Sequence, residues 1–154
     1  MALVFVSISG SAQGEEGEHT LALHGEYARF GTSGGGAGLF WEYGLSDFWN
    51  VYVDATWARR GGDEAAHRAG GAAGIVYNLD AFEWVPYVRV GLGGCADLTD
   101  AGDARGGFVV EAVTGVDWRP VRRFGVGAFG GYGLAVVGSA DSVALAGVRV
   151  SAWY

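Results

Sequence analysis

The stretch Val51-Tyr52-Val53-Asp54-Ala55-Thr56-Trp57 sets Val, Val, Ala and Trp on one face and Tyr, Asp and Thr on the other. Side chains along a β-strand point alternately to opposite faces, so a period of two reads as a strand with one apolar wall and one polar wall. The pattern recurs in both directions along the chain. Leu21, Leu23, Gly25 and Tyr27 alternate with Ala22, His24, Glu26 and Ala28. Leu39, Trp41, Tyr43 and Leu45 alternate with Phe40, Glu42 and Gly44. Further on, Ala73, Ile75, Tyr77 and Leu79 oppose Gly74, Val76 and Asn78, and Pro86, Val88, Val90 and Leu92 oppose Tyr87, Arg89, Gly91 and Gly93. Phe108, Val110, Ala112, Val116 and Trp118 oppose Glu111, Gly115 and Asp117. Val126, Ala128, Tyr132 and Leu134 oppose Gly125, Gly127, Phe129, Gly131 and Gly133. The last segment sets Ala146, Val148, Val150, Ala152 and Tyr154 against Gly147, Arg149, Ser151 and Trp153. Within these eight segments the charged residues share a face with most of the glycines.

Composition narrows what such strands build. The chain has 154 residues, the size of one domain. Gly is 29, Pro only 2, aromatics 14% and charged residues 18%. That excludes a collagen-like repeat and a disordered tail. The longest apolar run, Met1–Ile8, is far short of the ~20 residues of a spanning helix. The net charge of −7, with no Lys and little clustering of Arg, argues against nucleic acid as a partner. Cys95 is the single cysteine, so no internal disulfide exists. Residues 1–14, with apolar Ala2–Ile8 followed by small Gly10-Ser11-Ala12, read as the remnant of a secretory signal or as an N-terminal extension. The remainder, 15–154, reads as one barrel.

Eight segments of this length are an even number of tilted strands that can each cross a bilayer in ~9–11 residues. Three connections look short (Ser46–Asn50, Asp80–Glu83, Arg119–Arg123) and alternate with four that look longer (Gly31–Gly36, Arg59–Arg68, Cys95–Gly106, Val137–Ser142). Aromatics gather near both ends of the strands. Trp49, Tyr77, Trp84, Trp118, Phe124 and Tyr154 fall toward the short-turn rim, and Tyr27, Trp57, Phe108 and Tyr132 toward the other. Two girdles separated by aliphatics match a membrane-interface belt. The expected fold is therefore all-β: an eight-stranded antiparallel up-and-down transmembrane barrel, its apolar face toward lipid. Alternation alone leaves open a soluble barrel with that face inward.

Three stretches resemble the small eight-stranded outer-membrane barrels of the OmpA-transmembrane and OmpX type. They are the turn Tyr43-Gly44-Leu45-Ser46-Asp47-Phe48-Trp49, the hairpin Tyr77–Asp80 into Trp84–Tyr87, and the ending Val148-Arg149-Val150-Ser151-Ala152-Trp153-Tyr154. The resemblance covers about residues 18–154. It implies a location in the bacterial outer membrane, contact with lipid or detergent, both termini on the periplasmic side, and a C-terminal strand recognised by the outer-membrane assembly machinery. It implies no cofactor and a passive, structural or surface-exposed role without catalysis. The alternatives are a lipid-modifying enzyme of the same membrane and a narrow pore.

No motif supplies chemistry. Gly125-Val126-Gly127-Ala128-Phe129-Gly130 matches a dinucleotide fingerprint in letters, but the period of two runs through it and no helix follows. Leu92-Gly93-Gly94-Cys95 is a lipoprotein box only in letters, far from any leader. His24 and Glu26 share a face, yet two ligands are too few for a metal site. Ser142 or Ser151 beside His24 would be the only nucleophile and base that closure brings together. What remains is a lumen charge network of Glu26, Glu42, Asp54, Arg89, Glu111, Asp117 and Arg149. Strand order predicts that Arg149 meets Glu26 across the closure and that Arg89 meets Glu111, with Glu42 or Asp54 reaching across to either arginine. Eight strands enclose a space that side chains can fill, so this network is expected to plug the lumen.

Overall fold

The computed structural model describes residues 16–154, apart from 31, 61–65, 80–82, 100–103, 122 and 138. The expectation for residues 1–14 lies outside the described residues. Eight strands follow one another: β1 (His19–Phe30), β2 (Thr32–Gly44), β3 (Trp49–Arg60), β4 (Ala66–Asn78), β5 (Trp84–Thr99), β6 (Ala104–Val121), β7 (Phe124–Val137) and β8 (Ser139–Trp153). Each pairs antiparallel with the next, and β8 pairs with β1, so the sheet closes into a barrel and has no free edge. Backbone bonds between His19 and Tyr154 complete the seam where the first and last strands meet.

Alternation places the side chains as the period of two requires, and the apolar face points outward. Leu23 is 67% exposed, Val53 52% and Tyr132 73%, whereas Val76 and Asp117 are fully buried. A soluble barrel would show the reverse arrangement. An outward band of Leu, Val, Ile, Trp and Tyr around a closed sheet is the surface a bilayer solvates, because the strand backbones hydrogen-bond to one another around the whole circumference.

The connections differ from the sequence expectation. The described residues of Gly31–Gly36 and Val137–Ser142 are strand, not loop: β1 runs to Phe30 and β2 starts at Thr32, while β7 runs to Val137 and β8 starts at Ser139. Cys95–Gly106 is also mostly strand, since β5 continues to Thr99 and β6 starts at Ala104. The reason is that the ladder is a backbone structure. Ser33-Gly34-Gly35-Gly36 offers no hydrophobic alternation to read, but it pairs residue by residue with β1 and β3. Cys95 consequently lies in β5, buried and inward-facing, rather than in an exposed loop. On the opposite rim, β6 runs through a register irregularity between Trp118 and Val121 to within two residues of β7.

Candidate functional site

The inner face of the barrel is the candidate site, and its geometry follows from the rows in which inward residues face one another. Tyr52 of β3, Gly74 of β4, Gly91 of β5 and Glu111 of β6 form one such row. Two adjacent glycines let the Tyr52 ring lie flat across β4 and β5, and its hydroxyl donates to Glu111 Oε1 at 2.8 Å. A Cβ on Gly91 would collide with that hydroxyl. The next case is Arg149 of β8, Gly127 of β7 and Asp117 of β6. Arg149 passes over Gly127 and forks onto Asp117, with Nε donating to Oδ1 at 2.8 Å and Nη2 donating to Oδ2. The bidentate form is the strong geometry for this pair. Phe129 likewise lies beside Gly147, where an added Cβ would come 2.5 Å from its Cζ.

These rows correct the expected pairing. Arg149 is bound to Asp117, not to Glu26. Strand adjacency brings β8 beside β1, but the residue facing Arg149 there is His24, and Glu26 faces Gly147 instead. The side chain follows the glycine lane over β7, because that is where space exists.

The remaining charges gather at mid-height. Arg89 Nη2 lies 3.4 Å from Asp54 Oδ2, and its Nε lies 3.5 Å from Glu111 Oε1. Its guanidinium also stands over the rings of Phe40 and Tyr52, each at 5.3 Å. His24 Nε2 is 3.0 Å from Asp54 Oδ1, and its Nδ1 is 3.9 Å from Glu26 Oε2. Nearer the turn rim, Glu42 accepts from Asn50 and, at 2.9 Å, from Asn78. Nearer the loop rim, Arg68 donates to Asp97 through Nε and Nη2, both at 2.6 Å. Sequence reasoning missed Arg68–Asp97, Asn50 and Asn78 as members of the network. Arg68 and Asp97 sit directly opposite each other but fall in stretches that read as loop.

A cavity of about 80 Å³ lies above the Arg89 layer, lined by Glu26, Asp54, Arg89, Glu111 and Arg68 among smaller residues. One water occupies roughly 10–15 Å³ of such space, so several fit. The Ser–His pairing is not formed. Ser151 donates to the Gly125 carbonyl at 3.5 Å, Ser142 is exposed, and His24 is engaged by Asp54.

On the outer wall, Tyr27, Trp49, Trp57, Trp84, Phe108, Trp118, Phe124, Tyr132 and Tyr154 are all exposed, and Tyr77 is half-buried between the rings of Phe48 and Trp49. No protein-family model and no curated protein sequence matches the chain. Solved structures do match. Neisserial surface protein A superposes with a TM-score of 0.75 at 15% identity, over 92% of this chain and 98% of that one. Ail, the attachment invasion locus protein of Yersinia pestis, superposes at 0.65 with 17% identity, over 90% and 99%. This chain has the fold of the small eight-stranded outer-membrane β-barrels. The outer membrane enzyme PagL shares that fold too, at 0.59 with 14% identity, over 84% of this chain and 97% of that one. Neighbours with and without enzymatic names thus stand on one scaffold, and fold by itself does not assign an activity.

Proposed function

We propose that the chain is a non-catalytic barrel of the bacterial outer membrane, closed to transport by its own side chains, and that its work is structural or done at the cell surface by the rim carrying the β3–β4 and β5–β6 connections. The observation that supports this is the layer formed by Arg89 with Asp54, Glu111, Phe40 and Tyr52, which spans the lumen at mid-height. A buried guanidinium shared between two carboxylates and two ring faces is compensated in place, and removing it from that position is costly. The start of β1 at His19 and the end of β8 at Trp153 lie at the opposite rim, so in this reading that rim is periplasmic. The outward alternation Val148, Val150, Ala152, Tyr154 on β8 is the feature offered to the assembly machinery.

Planar-bilayer recording of the purified full chain tests the closed lumen. The expected record shows no stable unitary conductance, and steady channels from the unaltered chain would replace this reading with a narrow pore. Incubation with phospholipid and glycolipid vesicles is expected to release no fatty acid; released acyl chain that disappears in Ser142→Ala or His24→Ala would establish the enzyme instead. Insertion itself is tested at Val53. Arg on the lipid face near mid-membrane costs roughly 2–4 kcal/mol in such barrels, so Val53→Arg is expected to lower urea stability in vesicles by that amount.

A further inference from the structure

We propose that the outer wall of β1–β4, at the rim opposite the start of β1 and the end of β8, binds the phosphate groups of lipid headgroups through Arg29 and Arg59. The proposal rests on the bilayer reading above.

The starting observation is a charge asymmetry between the two faces of the wall. Among the described strand residues, the carboxylates Glu26, Glu42, Asp54, Asp97, Glu111 and Asp117 all lie on the inner face. Arg29 and Arg59 fall on the outer face by the same alternation, and both are exposed. Neither has an ion-pair partner among the described residues. In a chain of net charge −7, two guanidiniums without a carboxylate partner among the described residues, in one sector of an apolar wall, are placed to take an external anion.

Register brings them together. Arg59 lies opposite Gly35 of β2, and Arg29 lies opposite Ser33, two residues along that same strand. With strands ~4.8 Å apart and a rise of ~3.3 Å per residue, the two Cα atoms are about 12 Å apart, so both long arms can converge above β2. The strip between them is open: a Cβ on Gly35 would meet nothing nearer than the Glu26 carbonyl at 3.9 Å. Two residues toward the apolar band on the same strands stand Tyr27 and Trp57, both exposed. His67 on β4 faces Arg59, stacks on Trp57 with ring centroids 5.4 Å apart, and leaves Nδ1 without a hydrogen-bond partner among the described residues.

Read from mid-wall to rim, the sector runs aliphatic, aromatic, cationic. A phosphate-bearing lipid presents the matching order of acyl chain, ester region and phosphate. The amphipathic rings sit at headgroup depth, and the guanidinium fork matches phosphate oxygens two at a time. A soluble anion would need the cations but not the aromatic ring directly beneath them, so the occupant is the lipid.

The full chain, folded into phosphatidylcholine vesicles, is tested with spin-labelled phosphatidic acid against spin-labelled phosphatidylcholine. The expected result is a preference for phosphatidic acid that falls about fivefold for each arginine lost in Arg29→Gln and Arg59→Gln, and persists in the Arg29→Lys/Arg59→Lys double variant. Arg123→Gln, exposed at the other rim, leaves the preference unchanged. An undiminished preference in the double Gln variant, or none in the unaltered chain, overturns the proposal. Displacement of phosphatidic acid by inorganic phosphate at matched ionic strength overturns the lipid as occupant. Absence of any motionally restricted lipid overturns the bilayer reading together with it.

Discussion

Toward the turn rim, Phe40, Tyr52, Tyr87 and Phe129 cross the lumen, the Arg149 guanidinium stands 4.1 Å over the Tyr87 ring, and Asp117 is wholly buried. Toward the loop rim the same eight strands present Ala28, Ala58, Gly70 and Gly133, and the about 80 Å³ cavity opens among them. The circumference is constant, so the difference lies in side-chain volume. In the turn-side half Tyr52, Tyr87, Phe129 and Arg149 are each matched to a glycine on a neighbouring strand, while Phe40 faces Ala22 and Asp54; in the loop-side half alanines and glycines leave the space open. One half is a plug and the other is a vestibule behind the Arg68–Asp97 pair.

The sharpest test of the plug is its ion pair. Asp117→Asn leaves Arg149 without its bidentate countercharge in a buried site. Removing one partner of a buried pair typically costs roughly 3–5 kcal/mol, and that loss is expected in urea unfolding from lipid vesicles. A cycle of Asp117→Asn, Arg149→Met and the double variant should show strong coupling, whereas Glu26→Gln should be additive with Arg149→Met. Coupling to Glu26 in place of Asp117 would mean that the glycine lane does not direct the arginine.

Steric matching is tested one step lower in magnitude. A Cβ on Gly127 would run into Asp117 Oδ1 and lie 2.8 Å from the Val116 carbonyl. Gly127→Ala is therefore expected to lose roughly 1–3 kcal/mol, the usual cost of overpacking. Accommodation without loss would show that the plug has slack.

Much of this was legible in the sequence, and the misreadings have one physical source. Alternation located all eight strands and assigned Glu26, Glu42, Asp54, Arg89, Glu111, Asp117 and Arg149 to the inner face, because period two is a property of each segment alone; Arg29, Arg59, Arg68, Asp97 and Arg119 lay outside the alternating segments. The partner of Arg149 and the strand nature of Thr32–Gly36 were not legible, because both depend on what is missing. Glycine carries no hydrophobic signal, so glycine-rich strand ends look like loops. Glycine also opens space sideways, so a side chain reaches the second strand over rather than the first. The usable signal was present: an inward glycine at 127 directly between the strand rows of Arg149 and Asp117. Reading it required the inter-strand register, which composition and periodicity do not fix.

Cys95 probes the vestibule without altering its packing. Its thiol is buried on the inner face of β5 and lines the cavity. A bulky, membrane-impermeant maleimide should leave it unmodified in vesicle-inserted protein and modify it fully in urea. Rapid labelling of the folded chain would mean that the vestibule is wide open to solvent at the rim rather than covered.

The smallest expected effect separates the two halves most directly, because it applies one substitution to both. Gly133 lies on the inner face of β7, as Gly127 does, but in the vestibule. A Cβ there would meet the Val110 carbonyl at 3.4 Å, Val109 Cγ1 at 3.8 Å and Val143 Cβ at 3.8 Å, all ordinary contacts. Among the described residues the only glycine with positive φ is Gly17, so Ala at 133 fits the backbone. Ala also narrows the unfolded ensemble, which stabilises by about 0.4–1 kcal/mol where no clash opposes it. Gly133→Ala is thus expected to raise urea stability slightly while Gly127→Ala lowers it. Two losses of similar size would show the vestibule to be packed as tightly as the plug, and two neutral outcomes would remove the volume matching on which the distinction between the halves depends.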